Sequence, residues 1–227
     1  MLRIHEISKQ ISEAQIAYLD ATLGQINFNS PAISIPTLQT AKEPIRLREE
    51  KEGSVQSSIR FGLPAISRNH PDYFHYSVMN TVLGGYFGSR LQKNIREDKG
   101  YTYGIGSAIA SLKDAGYFFI ATEVGTAVCA SALLEIEKEI TLLKTDLVAD
   151  EELDLVRNFM LGSLLGSLEN AFSHADKFKN IYFSGLDYSY YTNYIATVKG
   201  ITAQEIKNIA NTYLNWDAMT RVIVGKK

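Results

Sequence analysis

One segment, residues 84–103, restricts the fold of this chain more than any other. A Gly-Gly pair leads into a short polar helix predicted over 88–98, and an aromatic strand begins about four residues after that helix. Gly100 supplies the positive φ that a helix C-terminus commonly adopts, so the chain reverses between the helix and the strand. The reversal brings Arg96 and Tyr103 to the two sides of a tight turn.

Arg96 and Tyr103 are therefore the candidate site residues. A guanidinium and a phenol held close together can both donate hydrogen bonds to a carbonyl or carboxylate oxygen. Spacing alone favours a structural role for each, with Arg96 as a cation at a helix C-terminus and Tyr103 as a half-buried strand aromatic. Strand alternation places Tyr103, Ile105 and Ser107 on one face. It places Thr102, Gly104 and Gly106 on the other.

The remaining sequence pattern predicts one sheet and a layer of helices. Strands are predicted at 54–63 (ended by Pro64), at 102–111 and 116–125 as a hairpin, and at 219–224. Helices are predicted at 71–83, after Thr126, and at 150–170, 171–184 and 202–214. This order indicates an α+β two-layer sandwich, with a mostly antiparallel sheet and helices packed on one face.

The first 44 residues are predicted to form a separate element. Residues 6–23 carry apolar side chains at helical spacing, and three of the five prolines lie between residues 31 and 44. A proline-rich stretch of this kind is typical of an extended linker. The predicted domains are therefore 1–44, a helix and linker, and 45–227.

Composition excludes several classes of partner. The net charge of −2 directs the chain to neither nucleic acid nor an anionic membrane surface. No apolar run approaches the roughly 18 residues that a membrane span needs. Charged residues (Arg3, Glu6 and Lys9) stand where a signal peptide would be apolar. The single cysteine, Cys129, allows no internal disulfide and is expected to be a buried structural thiol, and the compartment is left open.

No metal site or nucleophile is predicted. His5 begins a pattern resembling His-Glu-x-x-His, but Lys9 replaces the second histidine. His70 and His75 are five positions apart and miss the i, i+4 alignment of helical zinc ligands, and His174 stands alone. No Gly-x-Ser-x-Gly elbow occurs. The Gly-Gly loop lacks the Gly-Lys-Ser/Thr ending of a phosphate loop, so its glycines are expected to permit a tight turn with unusual backbone angles.

The motif Gly84-Gly85-x-x-x-Ser89-Arg90-Leu91, followed by Arg96-Glu97-x-x-Gly100-x-x-Tyr103, resembles a signature of the pitrilysin/insulinase family of zinc peptidases. That family includes the mitochondrial processing peptidases and the core proteins of the cytochrome bc1 complex. Residues 50–59 are similar to the first strand of the family's C-terminal half, and residues 150–153 to the start of its long helix. The resemblance covers about residues 45–225.

The resemblance implies a protein built from two homologous α+β halves around a chamber. One half carries His-x-x-Glu-His and a distal glutamate, which bind zinc and activate water, and the other contributes an arginine and a tyrosine. Arg96 and Tyr103 match those two residues, and the inverted zinc motif does not occur in this sequence. The resemblance therefore implies the non-catalytic half of a metalloendopeptidase, with zinc on a partner half and a peptide as substrate. Tyr103 would donate to the peptide carbonyl oxygen, and Arg96 would orient it.

Several alternatives remain open. The partner half could precede residues 1–44 in one polypeptide or be a separate subunit. The domain could instead be a non-proteolytic scaffold like the cytochrome bc1 core proteins, or a fragment that self-associates through the helix-free face of its sheet. The aromatic run Tyr188, Tyr190, Tyr191 and Tyr194 is expected to form a packed corner between helices rather than a stacking site for a ligand.

Overall fold

The structure, a computed structural model, describes residues 10–26, 43–113 and 115–226. Five strands are present: β1 Arg46–Glu50, β2 Gln56–Ala65, β3 Thr102–Ser111, β4 Gly116–Gly125 and β5 Thr220–Gly225. The α-helices are α1 Glu13–Thr22, α2 Tyr73–Asn80, α3 Cys129–Thr145, α4 Asp150–Gly166, α5 Ala171–Tyr182, α6 Ser189–Gly200 and α7 Ala203–Tyr213. Two π-helical segments, Thr81–Gly85 and Gln92–Asp98, lie between α2 and β3.

All five strands form one sheet in the order β1-β5-β2-β4-β3. The β3–β4 hairpin and the β2–β4 and β2–β5 pairs are antiparallel, and β1 pairs parallel with β5. Helices α2 and α3 and both π-helical segments pack on one face of this sheet, where Ile59, Phe61, Phe118 and Ile120 are buried. The predicted α+β two-layer sandwich, with its mostly antiparallel sheet, is confirmed.

The opposite face of the sheet is open to solvent in its central strands. Arg60 on β2 lies between the buried Ile59 and Phe61, and its side chain is about half exposed. On β4, Tyr117 and Glu123 alternate with the buried side chains in the same way and are also exposed. We call this surface the outer face.

Pro64 does not end its strand as predicted, because β2 continues to Ala65. A proline lacks the N–H that a central strand needs on its hydrogen-bonding side. β2 pairs with β5 only from Ser58 to Gly62, so at Pro64 it has β4 as its sheet neighbour. The strand is locally an edge there, which accommodates the missing donor.

Two elements were not predicted. β1 has the sequence Arg-Leu-Arg-Glu-Glu and is exposed along its whole length. Its charged side chains lack the apolar alternation by which a strand is recognised in a sequence. α6 begins within the tyrosine run, and its aromatic side chains replace the apolar stripe of an ordinary amphipathic helix. The rings of Tyr190 and Tyr194 pack edge-on against Phe74, at centroid distances of 4.7 and 5.7 Å, as a packed corner requires.

The predicted N-terminal helix is present from Glu13 to Thr22, capped by Ser12, whose hydroxyl accepts from the Gln15 amide. The first residues predicted for it, 6–9, and most of the predicted linker lie outside the described residues. None of the described helices combines the length and apolar character that crossing a membrane requires. The domain boundary near residue 45 stays a prediction.

Candidate functional site at the turn between the second π-helix and β3

The predicted reversal at Gly100 is confirmed. Gly100 has a φ of 63°, in the left-handed region that favours glycine. The helix before it is wider than an α-helix, since the Lys99 amide donates to the Asn94 carbonyl five residues back. The Tyr101 amide then donates to the Ile95 carbonyl at 3.0 Å, which closes the helix end and directs the chain into β3.

Arg96 is held in place by the turn that it precedes. Its Nε donates to the main-chain carbonyl of Tyr103 at 3.0 Å. Its guanidinium carbon lies 4.4 Å from the centroid of the Phe87 ring, and Nη1 lies 3.6 Å from a Glu97 carboxylate oxygen. A guanidinium has five N–H donors, so this arrangement fixes the group and leaves donors for a further acceptor. Arg96 also lies in the last turn of the helix, as predicted for a cation at a helix C-terminus.

Tyr103 is not the half-buried strand aromatic that alternation predicted, because it is 94% exposed. The pairing of β3 with β4 shifts between Thr102, opposite Val124, and Ile105, opposite Thr122. An advance of three residues on β3 therefore corresponds to an advance of two residues on β4, and this mismatch is a β-bulge. The predicted grouping of Tyr103 with Ile105 and Ser107 is therefore wrong. Thr102 shares the buried face with Ile105, and Tyr103 is displaced to the outer face.

The Thr102 hydroxyl stabilises this bulge. It donates to the Glu123 carbonyl at 2.6 Å and accepts from the Gly104 amide at 3.1 Å, so the extra backbone N–H is satisfied. The Thr122 hydroxyl lies 3.0 Å from the Thr102 hydroxyl. Sequence reasoning missed Thr102 and Phe87 as parts of the site. The available signal for the bulge was Gly104, because a glycine inside a strand often marks one.

The glycines of the preceding loop serve a different purpose from the one predicted. Among described glycines, positive φ occurs at Gly53, Gly100 and Gly185, and not at Gly84 or Gly85. A Cβ on Gly84 would lie 2.5 Å from the Ser107 hydroxyl and 2.6 Å from its backbone nitrogen. Close approach to β3, rather than an unusual backbone angle, therefore requires glycine at position 84.

Arg96 and Tyr103 line the same open groove, of about 680 Å³. Its walls come from the helix end, the turn, and the adjoining ends of β2, β3 and β4, and include Val55, Gln56 and Gly125. The structure thus brings both predicted residues to one concave surface. Their direct contact, however, is between the guanidinium and the Tyr103 backbone.

Behind the groove, hydrogen bonds to glutamates attach the second π-helix to α3 and attach Arg90, just before that helix, to α4. Arg90 makes a bidentate pair with Glu152, with Nε–Oε1 at 2.8 Å and Nη2–Oε2 at 2.7 Å. The Asn94 amide donates to Glu135 at 2.9 Å and to Glu139 at 2.6 Å. Sequence reasoning missed Arg90 as the partner of Glu152.

Among the described residues, His70, His75 and His174 belong to no group that could hold a metal ion. His5 lies outside the described residues, the His70 Nδ1 accepts from the Asp72 amide at 3.1 Å, and His174 is exposed. Within residues 10–26, 43–113 and 115–226, no group of three or more His, Cys, Asp and Glu side chains could hold a metal ion. Cys129 is 2% exposed, in agreement with a buried structural thiol.

The fold and this site define an α+β domain with an open groove beside the strand ends, and comparison with known proteins identifies its family. The family model of the peptidase M16 inactive domain matches residues 11–160, and the chain belongs to that family. The predicted resemblance to the insulinase-type zinc peptidases, and to their non-catalytic domain, is confirmed.

Two curated relatives and one solved structure illustrate this relationship. The chain is 28% identical to "Uncharacterized zinc protease YmxG" of Bacillus subtilis, over 72% of this chain and 39% of that protein. It is 25% identical to "Non-peptidase homolog YmxG" of Helicobacter pylori, over 92% of this chain and 50% of that protein. The crystal structure of a peptidase M16 inactive domain from Pseudomonas fluorescens superposes with a TM-score of 0.83 at 24% identity, covering 96% of this chain and 52% of that one. The chain thus spans half or less of the length of these two relatives.

Proposed function

We propose that this domain is the non-catalytic half of a zinc peptidase and binds the scissile peptide through Arg96 and Tyr103. One observation carries the proposal: Arg96 is fixed to the backbone of Tyr103, while the phenol of Tyr103 is 94% exposed on the same groove. A hydrogen-bond donor this exposed, on a backbone this constrained, is available to a ligand.

The proposed role of the two side chains follows from the negative charge that develops during peptide hydrolysis. As water adds to a peptide carbonyl, negative charge grows on the carbonyl oxygen, and a donor already in position stabilises that charge. The Tyr103 hydroxyl would donate to this oxygen. The unused donors of Arg96 would hold the same oxygen or a neighbouring substrate carbonyl. Because Phe87 and the Tyr103 carbonyl already fix the guanidinium, little reorganisation is needed when the substrate binds.

The metal would be supplied by a homologous partner half. Zinc there would provide an activated water. The described residues of this chain offer no cluster for the ion, and the Bacillus subtilis relative is named a zinc protease and is much longer than this chain. Both facts support a division of labour between a metal-bearing half and this one.

The test is Tyr103→Phe in the complete assembly that contains the zinc-bearing half. Loss of one such donor typically lowers kcat by about 10²–10³-fold. We expect a drop of this order with a much smaller change in KM, because the hydrogen bond forms mainly in the transition state. Tyr117→Phe is the matched control: Tyr117 is an exposed tyrosine on the same sheet face, outside the groove.

If the Tyr103→Phe assembly has the same kcat as the parent, Tyr103 does not stabilise the transition state.

A scaffold without proteolysis is the second candidate function. It is favoured by the Helicobacter pylori relative, which is named a non-peptidase homolog. An assembly that binds its partner half stably but cleaves no peptide would support the scaffold.

A further inference from the structure

We propose that a pocket among α4, α5 and α6 binds a small organic anion, a carboxylate or phosphate ester attached to a short aromatic or aliphatic body. The pocket has a volume of about 260 Å³ and lies where the loop after β2 meets the three helices. It shares no lining residue with the groove that contains Arg96 and Tyr103. It is therefore a second site, independent of the proposed peptide-binding role.

The charge of the pocket indicates an anion. Arg68 and Lys177 both line it, and none of its lining residues is a carboxylate. The Arg68 Nε is buried without a hydrogen-bond partner, and Nη1 reaches the Asn180 carbonyl only at 3.4 Å. Most of the Nη donors of Arg68 therefore have no partner among the described residues, and a bound anion could accept from them. The Lys177 ammonium likewise makes no ion pair within the described part of the chain.

Three tyrosines complete the lining. The Tyr191 hydroxyl donates to the Lys177 carbonyl at 3.0 Å, and the Tyr194 hydroxyl lies 3.4 Å from the Met160 carbonyl. These bonds hold the two rings in place. The Tyr190 hydroxyl forms no hydrogen bond with any described residue. Burial raises the pKa of Tyr190, so the phenol stays protonated and keeps a donor for a ligand.

The size and the walls of the pocket define the rest of the ligand. Its volume of about 260 Å³ is just below the range of about 300–1,000 Å³ that is typical of ligand sites, so the ligand must be small. Met160 and Leu164 supply apolar surface beside the tyrosine rings. One anionic headgroup on a body of roughly one aromatic ring fits both the volume and the chemistry.

Calorimetric titration of the 227-residue chain tests the proposal, with phenyl phosphate and benzoate as probes and benzamide as a neutral analogue of benzoate. We expect saturable binding of at least one anion, with a Kd of about 1 mM or tighter. Benzamide should bind at least about tenfold more weakly than benzoate or not at all. The relative affinities of the two anions distinguish a phosphate headgroup from a carboxylate.

Variants then locate the site. Arg68→Met and Tyr190→Phe should each weaken the anion that binds by about tenfold or more. Lys177→Met provides a second cation variant if Arg68→Met fails to fold. Lys179→Met is the matched control, since Lys179 is exposed on the same helix, pairs with Asp176 and does not line the pocket.

Three outcomes would overturn the proposal: no saturable binding of either anion, benzamide binding as tightly as benzoate, or equal weakening by Lys179→Met and Lys177→Met. Since none of these variants touches the Arg96–Tyr103 groove, a negative result would leave the proposed peptide-binding function unaffected.

Discussion

Two glutamates of α3 share Asn94 as a hydrogen-bond donor, but their pKa values are shifted in opposite directions. The Asn94 amide donates to both Glu135 and Glu139. At Glu139 burial is the larger effect and raises the pKa above its ordinary 4.5, whereas at Glu135 the hydrogen bond from Asn94 lowers it. Two carboxylates that share one donor should therefore make opposite contributions to the pH dependence of stability.

Replacing each glutamate by glutamine should separate the two contributions. Because the folded state raises the pKa of Glu139, folding binds protons there, and the stability contributed by this group falls as the pH rises above 4.5. Relative to the parent, Glu139→Gln should therefore gain stability between about pH 4 and pH 7. Glu135→Gln should lose stability relative to the parent as the pH rises from about 3 to about 5, because the lowered pKa of Glu135 stabilises the fold only when the group is ionised. Urea unfolding at about pH 3, 5 and 7 measures both effects, and changes of the same sign in both variants would contradict the prediction.

At the scale of elements, the second π-helix depends on neighbours far along the chain. Its amide bonds are made to carbonyls five residues back, a pattern that seldom persists without tertiary support. The support comes from α4 through the Arg90–Glu152 pair, whose side chains are 16% and 28% exposed. It also comes from α3, whose Glu135 and Glu139 accept hydrogen bonds from Asn94 within this helix.

Arg90→Met tests this support. Removing one partner of a buried ion pair typically costs about 3–5 kcal/mol, so we expect about 2–3 kcal/mol for a pair that is partly exposed. Arg46→Met is the control, because Arg46 is 60% exposed and lies 3.8 Å from Asp217, and it should change the free energy of unfolding by less than about 1 kcal/mol. Equal effects of the two variants in urea unfolding would show that the Arg90 pair does not support the π-helix.

At the scale of the whole molecule, the sheet has one buried and one open face. Strand register places Leu47 of β1 beside Val222 of β5 and Arg60 of β2, on the outer face. Leu47 is 47% exposed and Tyr117, on the same face, is 49% exposed. We expect this open face to bind a partner. The proposed partner half, or a second copy of the chain in its place, would cover it.

Without a partner half, the chain should self-associate through the outer face as its concentration rises. Leu47→Lys should weaken this association, because it places a charge on that face. Leu155→Lys, on the exposed side of α4, should not weaken it. Sedimentation velocity over a range of concentrations measures the effect, and a monomer at high concentration would count against self-association.

Much of this architecture is local and could be read from the residues. The β3–β4 hairpin matches its predicted bounds, since two alternating runs separated by a short polar turn specify a local pairing. The reversal at Gly100 follows from glycine's access to positive φ. The edge strand β1 escaped prediction because its partner, β5, lies more than 170 residues away in sequence.

In the candidate site, too, some features could be read from the sequence and others depended on tertiary structure. The residue types, the spacing of Arg96 and Tyr103 and the closing glycine belong to the sequence alone, and they were sufficient to identify the family. Where the two side chains lie was decided by tertiary structure, because a bulge is a mismatch between two strands and exists only when both are paired. That mismatch displaces Tyr103 to the open face, and the ring of Phe87 holds the guanidinium, so the concave surface exists only in the folded sheet.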